Sequence, residues 1–319
     1  MTEDKHIPVM LREMLEDLAP SDGGKYVDGT FGSGGYSRAI LDAADTTVWS
    51  IDRDPHAIED AQNLSRQYGQ RLNLIQGRFS EMKTLLRVGG VKYVNGVVLD
   101  LGLSSCQISG KSRGFSFRLD APLDMRMGMR GPTAAHVVNT SAEKELVHII
   151  RRLGEERRAR QVARAIVYAR SQRPITRTRE LAEIIRRVVP QNRSKIDPAT
   201  RTFMALRIHI NDELTELSAV LRAAELILAP GGRLVVVSFH SLEDRMVKMF
   251  LRERGGNSSS TSRHLPPLNV SCPPSFKLLR RSVLKPSLIE INRNPLARSA
   301  RLRAAERTED PPWRAEKAA

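Results

Sequence analysis

Over its first hundred residues this chain alternates short apolar runs with helical periodicity, and that alternation leaves few folds open. Tyr26-Val27, Thr47 to Ile51, Leu72 to Ile75 and Val97 to Leu99 read as short buried strands, and a helical stripe of Ile58, Ala61 and Leu64 separates the second from the third. Parallel strands need long crossovers, and a helix is the compact crossover, so the pattern predicts a parallel sheet with helices on both faces. The alternation then stops. From about Ser141 to Leu228 only helical spacing remains. Leu146, Ile149, Ile150 and Leu153 make one apolar face. Val162, Ala165, Ile166 and Ala169 make a second, and Leu181, Ile184, Ile185 and Val188 a third, with Pro174 and Pro190 as punctuation. Gly231-Gly232 precedes another strand, Leu234 to Phe239. The expected fold is α/β, a doubly wound Rossmann-like sheet with an inserted helical domain. Residues 1–109 and 206–319 would form the sheet domain and 110–205 the insertion. Leu278 to Leu284 and Ala300 to Ala305 read as antiparallel closing strands. Residues 255–276, rich in Gly, Ser and Pro, read as a mobile loop.

The length of 319 residues suits one large domain or two ordinary ones. The chain carries 51 Lys+Arg against 36 Asp+Glu, a net charge of +15, and so basic a protein usually meets a polyanion. Aromatic residues make up only 5%, so stacking platforms for bases are few. Two cysteines, Cys106 and Cys272, and seven scattered histidines give neither a disulfide framework nor zinc spacing, which points to a reducing compartment and metal-free chemistry. The opening MTEDKHIPVM lacks the apolar stretch of a signal peptide, and no apolar run is long enough to span a bilayer. The expectation is a cytoplasmic protein with no membrane partner.

The strongest local signal is Asp28-Gly29-Thr30-Phe31-Gly32-Ser33-Gly34-Gly35, directly after the first strand. Its glycines let the backbone turn sharply and approach a ligand, and the helix that follows offers free N–H groups. Asp52 ends the second strand, where a carboxylate is placed to accept the ribose hydroxyls of a nucleoside cofactor. Asp54-Pro55 then opens a helix, with Asp54 as its cap. The turn is not spaced GxGxxG and shows no partner for a pyrophosphate. S-adenosylmethionine has no phosphate and carries a cationic sulfonium, which suits acids at Asp28 and at Asp100, the end of the fourth strand. A dehydrogenase is the runner-up. Ser109-Gly110-Lys111-Ser112 ends like a P-loop, but Ser105 stands where its first glycine would be, so an ATPase is not expected.

These residues resemble a family. Asp28 to Gly35, Ile51 to Asp54, Gly77-Arg78-Phe79-Ser80 and Leu99 to Gly102 look like the cofactor motifs of the bacterial 16S ribosomal RNA cytosine-N(4) methyltransferases, the RsmH/MraW family, which have a class I methyltransferase sheet. Arg113 to Phe117, Pro122 to Met127, Gly154 to Arg157, Pro198 to Phe203 and Ser238 to Arg245 continue the resemblance, which runs from about His6 to Arg307. It implies S-adenosylmethionine contacts at Gly34, Gly35, Tyr36, Asp52, Phe79, Asp100 and Gln107. It also implies methylation of the exocyclic amine of the cytidine at 16S position 1402, in the decoding region. One departure stands out: many relatives have histidine where this chain has Tyr36.

The amine of cytosine is a poor nucleophile because its lone pair is delocalised into the ring. An acceptor beside it, Asp100 or a carbonyl of Leu101 to Leu103, would localise that pair and take up developing charge. Ser104 and Ser105 lie in the same turn, His240 closes the fifth strand as a candidate substrate contact, and His6 would cover the cofactor. Capture of the 16S RNA or small subunit, rather than DNA, is expected from the insertion. Between Arg151 and Arg207 stand 16 basic and 5 acidic residues, and 15 of the 16 are arginine. Arg157, Arg158 and Arg160 are the candidate RNA contacts. An insertion leaving from the end of the fourth strand would stand beside the reactive methyl.

Overall fold

The computed structural model describes residues 7–103, 107, 113–128, 130–191, 196–256 and 272–313. In chain order the first elements are α1 (Leu11–Leu18), β1 (Lys25–Asp28), α2 (Gly35–Ala43), β2 (Thr47–Asp52), α3 (Pro55–Asp60), α4 (Gln62–Tyr68), β3 (Leu72–Gln76), α5 (Met82–Val88) and β4 (Val94–Asp100). Among the described residues helices alone follow: α6 (Ala134–Thr140), α7 (Glu143–Gly154), α8 (Ala159–Gln172), α9 (Thr178–Val188), α10 (Thr200–Asn211) and α11 (Glu213–Ile227). The chain then returns to β5 (Leu228–Ser238), α12 (Ser241–Arg254), β6 (Phe276–Leu278), α13 (Leu288–Arg293) and β7 (Arg301–Arg307).

The sheet order is β3-β2-β1-β4-β5-β7-β6. The strands from β3 to β5 pair in parallel, while β7 is antiparallel to both β5 and β6. A reversed strand inserted between β5 and β6 is the class I methyltransferase arrangement. The central strands are apolar on both sides because both faces are covered. Val97, Leu99, Leu234 and Val236 face α5, α11 and α12, packing with Met82, Leu217, Val220 and Val247. Val98, Val235 and Val237 face α1 and α2, packing with Met14, Leu18 and Ile40.

The chain divides into two compact units, Met1–Gly102 with Glu216–Ala319, and Leu103–Thr215. The second has its own core, to which the three helical faces read from the sequence contribute Leu146, Ile150, Val162, Ile166, Leu181 and Ile185. Its limits lie outside residues 110–205, because Leu103 at one end and Leu206 and Ile210 at the other pack into that core. Three motifs that resembled the family's insertion have structural members here. Arg113 donates from Nη2 to the carbonyl of Arg126 (2.8 Å), and Asp124 chelates the Arg126 guanidinium at 2.7 and 2.8 Å. Gly154 lies where α7 crosses α10, and a Cβ there would stand 2.6 Å from the Arg201 carbonyl oxygen.

Three expectations shift. The helix after β2 breaks at Ala61 into α3 and α4. The first closing strand ends at Leu278, and only Leu284 bridges to Leu302 further on, because Arg280 turns away to bond Asp17 at 2.9 Å. Much of the predicted loop, 257–271, lies outside the described residues, and the predicted strand from Ala300 forms as β7. No helix of the described residues is long and apolar enough to cross a membrane.

Candidate active site

Strand register brings three carboxylates to one edge of the sheet. Asp28 pairs with Ser50 of β2 and with Val98 of β4, so Asp52 and Asp100 each lie two residues beyond it, on either side. At about 3.3 Å per residue both project roughly 6–7 Å past the end of β1. The glycine turn fills that space. Gly29 N–H bonds to the Val98 carbonyl at 3.0 Å, Phe31 N–H to that of Ile51 at 3.1 Å, and Asp100 N–H to Thr30 Oγ1 at 2.6 Å. The turn is thereby tied to both neighbouring strands.

Asp52 accepts from Gly32 N–H and Asp54 N–H, both at 2.8 Å, one to each oxygen. Burial raises its pKa, opposed by those two N–H groups. A carboxylate offers about four lone-pair sites, so it can hold the turn and still accept ribose hydroxyls. Asp54 caps α3 as expected, accepting from His56 N–H with Pro55 at the first helical position. Phe79 follows β3 and is half-buried, its Cβ 3.6 Å from where a Gly29 side chain would begin. Two other residues of its motif are structural. Gly77 N–H bonds to the Asp52 carbonyl at 2.9 Å, and Arg78 pairs with Glu216 at 2.8 Å.

Gly34 has φ +76°, and a side chain on it would stand 2.7 Å from Leu64 and 2.9 Å from Phe31. A side chain on Gly35 would stand 2.3 Å from Pro8. The segment Ile7 to Met10 thus lies directly against the turn. Tyr36 Oη donates to the Val9 carbonyl, Asn294 Nδ2 to the Ile7 carbonyl at 3.0 Å, and Met10 N–H to Glu290 at 2.6 Å. The buried Tyr36 side chain is therefore committed to this strap. What it offers a ligand is its backbone N–H in the first turn of α2, which has no acceptor within the helix. The histidine-to-tyrosine departure leaves that N–H unchanged.

The electrostatics of the edge are unbalanced. Burial pushes Asp100 up to about 7, the Asp28 charge adds to the rise, and the Gly102 N–H opposes it. Burial likewise pushes Asp28 up to about 6, against hydrogen bonds from Ser37 and Thr30. Asp100 Oδ1 is buried without a hydrogen-bond partner among the described residues. Buried carboxylates are ordinarily paired, so this edge is short of positive charge and of a donor. S-adenosylmethionine fits it on chemistry: its sulfonium and ammonium are cationic, and its ribose matches Asp52.

The structure places Gly34, Gly35, Tyr36, Asp52, Phe79 and Asp100 on this one edge. Gln107 is buried and belongs to the second unit. The His240 side chain caps a helix. Its Nδ1 accepts from Glu243 N–H at 3.4 Å, and Glu243 accepts from the N–H groups of Phe239 and His240, a reciprocal cap on α12. Its side chain is only 8% exposed, so it shapes the helix start more than it meets solvent. Asp244, next in line, pairs with Arg301 and Arg303. His6, Ser104 and Ser105 lie outside the described residues. Sequence reasoning missed Thr30, Ser37 and the strap: the partners Met10 and Glu290 stand 280 positions apart.

In the second unit Arg157, Arg158 and Arg160 are exposed. With Arg201, the first two line a cleft of about 190 Å³. Much of the arginine excess is internally balanced: Arg173 pairs with Glu180, Arg177 with Asp120, Arg186 with Asp197 and Arg207 with Glu213. No such pair is found for Arg157, Arg160 or Arg164 among the described residues, and Arg160 and Arg164 stand one turn apart on α8.

Residues 3–308 match the model of the MraW methylase family. Ribosomal RNA small subunit methyltransferase H of Paramagnetospirillum magneticum is 54% identical over 314 residues, 98% of this chain and 99% of the relative. Proteins of the same name from Granulibacter bethesdensis and Rhodospirillum centenum are each 55% identical, covering 94% and 96% of this chain and 91% and 93% of their own lengths. Similarity of that extent, spanning the sheet unit and the helical unit alike, establishes the family: the chain belongs to the MraW methylase family.

Proposed function

We propose that this chain methylates the exocyclic N(4) amine of a cytidine in the decoding region of 16S ribosomal RNA. The names of the relatives support small-subunit RNA as substrate. The observation that carries the chemistry is Asp100, with a buried oxygen lacking a hydrogen-bond partner among the described residues and a pKa raised to about 7 at the end of β4.

Bound S-adenosylmethionine supplies an electrophilic methyl on a sulfonium. Asp52 holds the ribose, the N–H groups of Gly35 and Tyr36 hold the turn side, and Phe79 packs beside the adenine. Asp28 and Asp100 supply the negative potential that a sulfonium requires. Asp100 Oδ1 would accept a hydrogen bond from the target amine, which localises the nitrogen lone pair, and would take the proton that the amine sheds as its new N–C bond replaces the methyl's bond to sulfur and S-adenosylhomocysteine leaves. An acceptor with a pKa near the working pH suits that transfer. The target base must leave its stack to reach the sheet edge. Arg157, Arg158 and Arg160 hold flanking phosphates meanwhile, and His240 orders the turn that ends β5.

Calorimetric titration separates the function classes. Saturable binding of S-adenosylmethionine with none of NAD is the expected result. Binding of NAD alone would make the chain a dehydrogenase, and binding of neither an RNA-binding module without catalysis.

A further inference from the structure

A second basic site lies in the sheet unit. The C-terminal half of α12, the segment after β6 and the middle of β7 enclose a groove of about 510 Å³, within the range of small-ligand sites. Lys248, Arg252, Arg280, Arg281 and Arg303 line it, and among the described residues no carboxylate does. Its floor is apolar, formed by Leu251, Leu278 and Ala304. We infer that this groove binds a nucleotide of the RNA substrate outside the reacting base, with phosphate on the cations and sugar or base on the apolar floor.

Two of the cations are braced from behind. Arg280 gives its Nε–H to Asp17, at 2.9 and 3.0 Å, and has no other partner among the described residues, so its four terminal N–H bonds are open. Arg303 gives Nε–H and Nη2 to Asp244, at 2.7 and 3.3 Å, which leaves Nη1 open. Asp17 and Asp244 are 8% and 9% exposed and lie outside the lining. They fix the guanidinium planes without occupying the groove, and a fixed fork is the geometry that binds phosphate bidentately. Lys248, Arg252 and Arg281 are exposed and complete the rim. Asp244 is shared with Arg301, and Glu13 and Glu16 act on Arg280 only at longer range, so the groove keeps a surplus of positive charge.

A solvated basic surface would account for the charge alone. It does not account for concavity, an apolar floor and carboxylates placed behind rather than among the cations. Lys248 lies seven residues along α12 from Ser241, about 10 Å at 1.5 Å per residue. A strand of RNA crosses that distance in two or three nucleotides.

The inference rests on the reading of the chain as an RNA methylase, and one experiment separates the two. Binding of wild-type protein to unmodified small ribosomal subunits is measured at several KCl concentrations and fixed magnesium, beside the variant Lys248→Gln, Arg252→Gln, Arg281→Gln. The variant is expected to bind about tenfold more weakly, with a salt slope smaller by roughly two, since each phosphate no longer neutralised removes about 0.7–0.9 from the slope. Its thermal midpoint and its affinity for S-adenosylmethionine should match wild type, and Arg281→Lys alone should keep the slope. A folded variant with wild-type affinity and slope overturns the groove as an RNA site. Inorganic phosphate or cytidine monophosphate that binds wild type but not the variant, with subunit binding untouched, overturns it too and leaves a small-anion site. Absence of saturable, salt-dependent binding by the wild type defeats the RNA reading itself, and this inference with it.

Discussion

Asp28 and Asp100 end neighbouring strands, and burial raises their pKa values to about 6 and about 7, with the charge of Asp52 adding to the rise of Asp28 and that of Asp28 to the rise of Asp100. Both folded pKa values lie above 3.8, so between about pH 4 and 7 the folded state binds more protons than the unfolded one. Stability from these groups is then lost as pH rises. Asp100→Asn should raise the thermal midpoint relative to wild type at pH 8 and change it little at pH 5, while weakening S-adenosylmethionine at least tenfold. A bound sulfonium favours the ionised carboxylates, so affinity for S-adenosylmethionine should increase from pH 6 to 8. S-adenosylhomocysteine, whose sulfur is neutral, should show a flatter profile; equal profiles would remove these acids from the sulfonium's surroundings. Tyr36→Phe tests the other assignment at this scale. Losing the Tyr36–Val9 hydrogen bond should lower stability by about 0.5–1.5 kcal/mol and leave cofactor affinity within about threefold, because the backbone N–H remains. Asp52 differs, since its oxygens hold Gly32 and Asp54 as well as facing the proposed ribose position. Asp52→Ala should weaken S-adenosylmethionine by about 30-fold or more, a loss of roughly 2–5 kcal/mol, and also lower the thermal midpoint. Unchanged calorimetric affinity would sink its cofactor role.

Among the elements, the strands and helices that build the sheet were legible because their periodicities differ, and so was Asp54 as a helix cap. The glycine turn was legible from its position after β1. What could not be read were pairings across long separations. The strap from Ile7 to Met10 depends on Glu290 and Asn294, and nothing local marks those residues. The shortening of β6 depends on Asp17 capturing Arg280, which a strand-period argument cannot see. The arginine-rich insertion was legible as charge but not as surface. Local counts cannot tell Arg186, chelated by Asp197 at 2.7 Å, from Arg160, which has no such pair among the described residues. Neutralising Arg157, Arg158 and Arg160 together should weaken RNA binding and reduce its salt slope by roughly two to three, with S-adenosylmethionine affinity unchanged. The same affinity and slope as wild type would reduce the stripe to ordinary surface.

On the scale of the whole molecule, one edge of a seven-stranded sheet gathers the acids and glycines that a cationic nucleoside requires, and a helical unit threaded between β4 and β5 displays exposed arginines. On the proposed function the two units would divide the labour that a methylase of structured RNA requires, donor binding in one and backbone capture in the other. Nucleoside mass spectrometry tests this most directly. Small ribosomal subunits lacking the modification are incubated with the protein and S-adenosylmethionine carrying an isotopically labelled methyl, and the 16S RNA is digested and mapped. The expected result is label in N(4)-methylcytidine at one decoding-region site, lost with Asp100→Ala while S-adenosylmethionine at saturating concentration remains bound. Label on another base or atom, or undiminished transfer by the Asp100 variant, would contradict it.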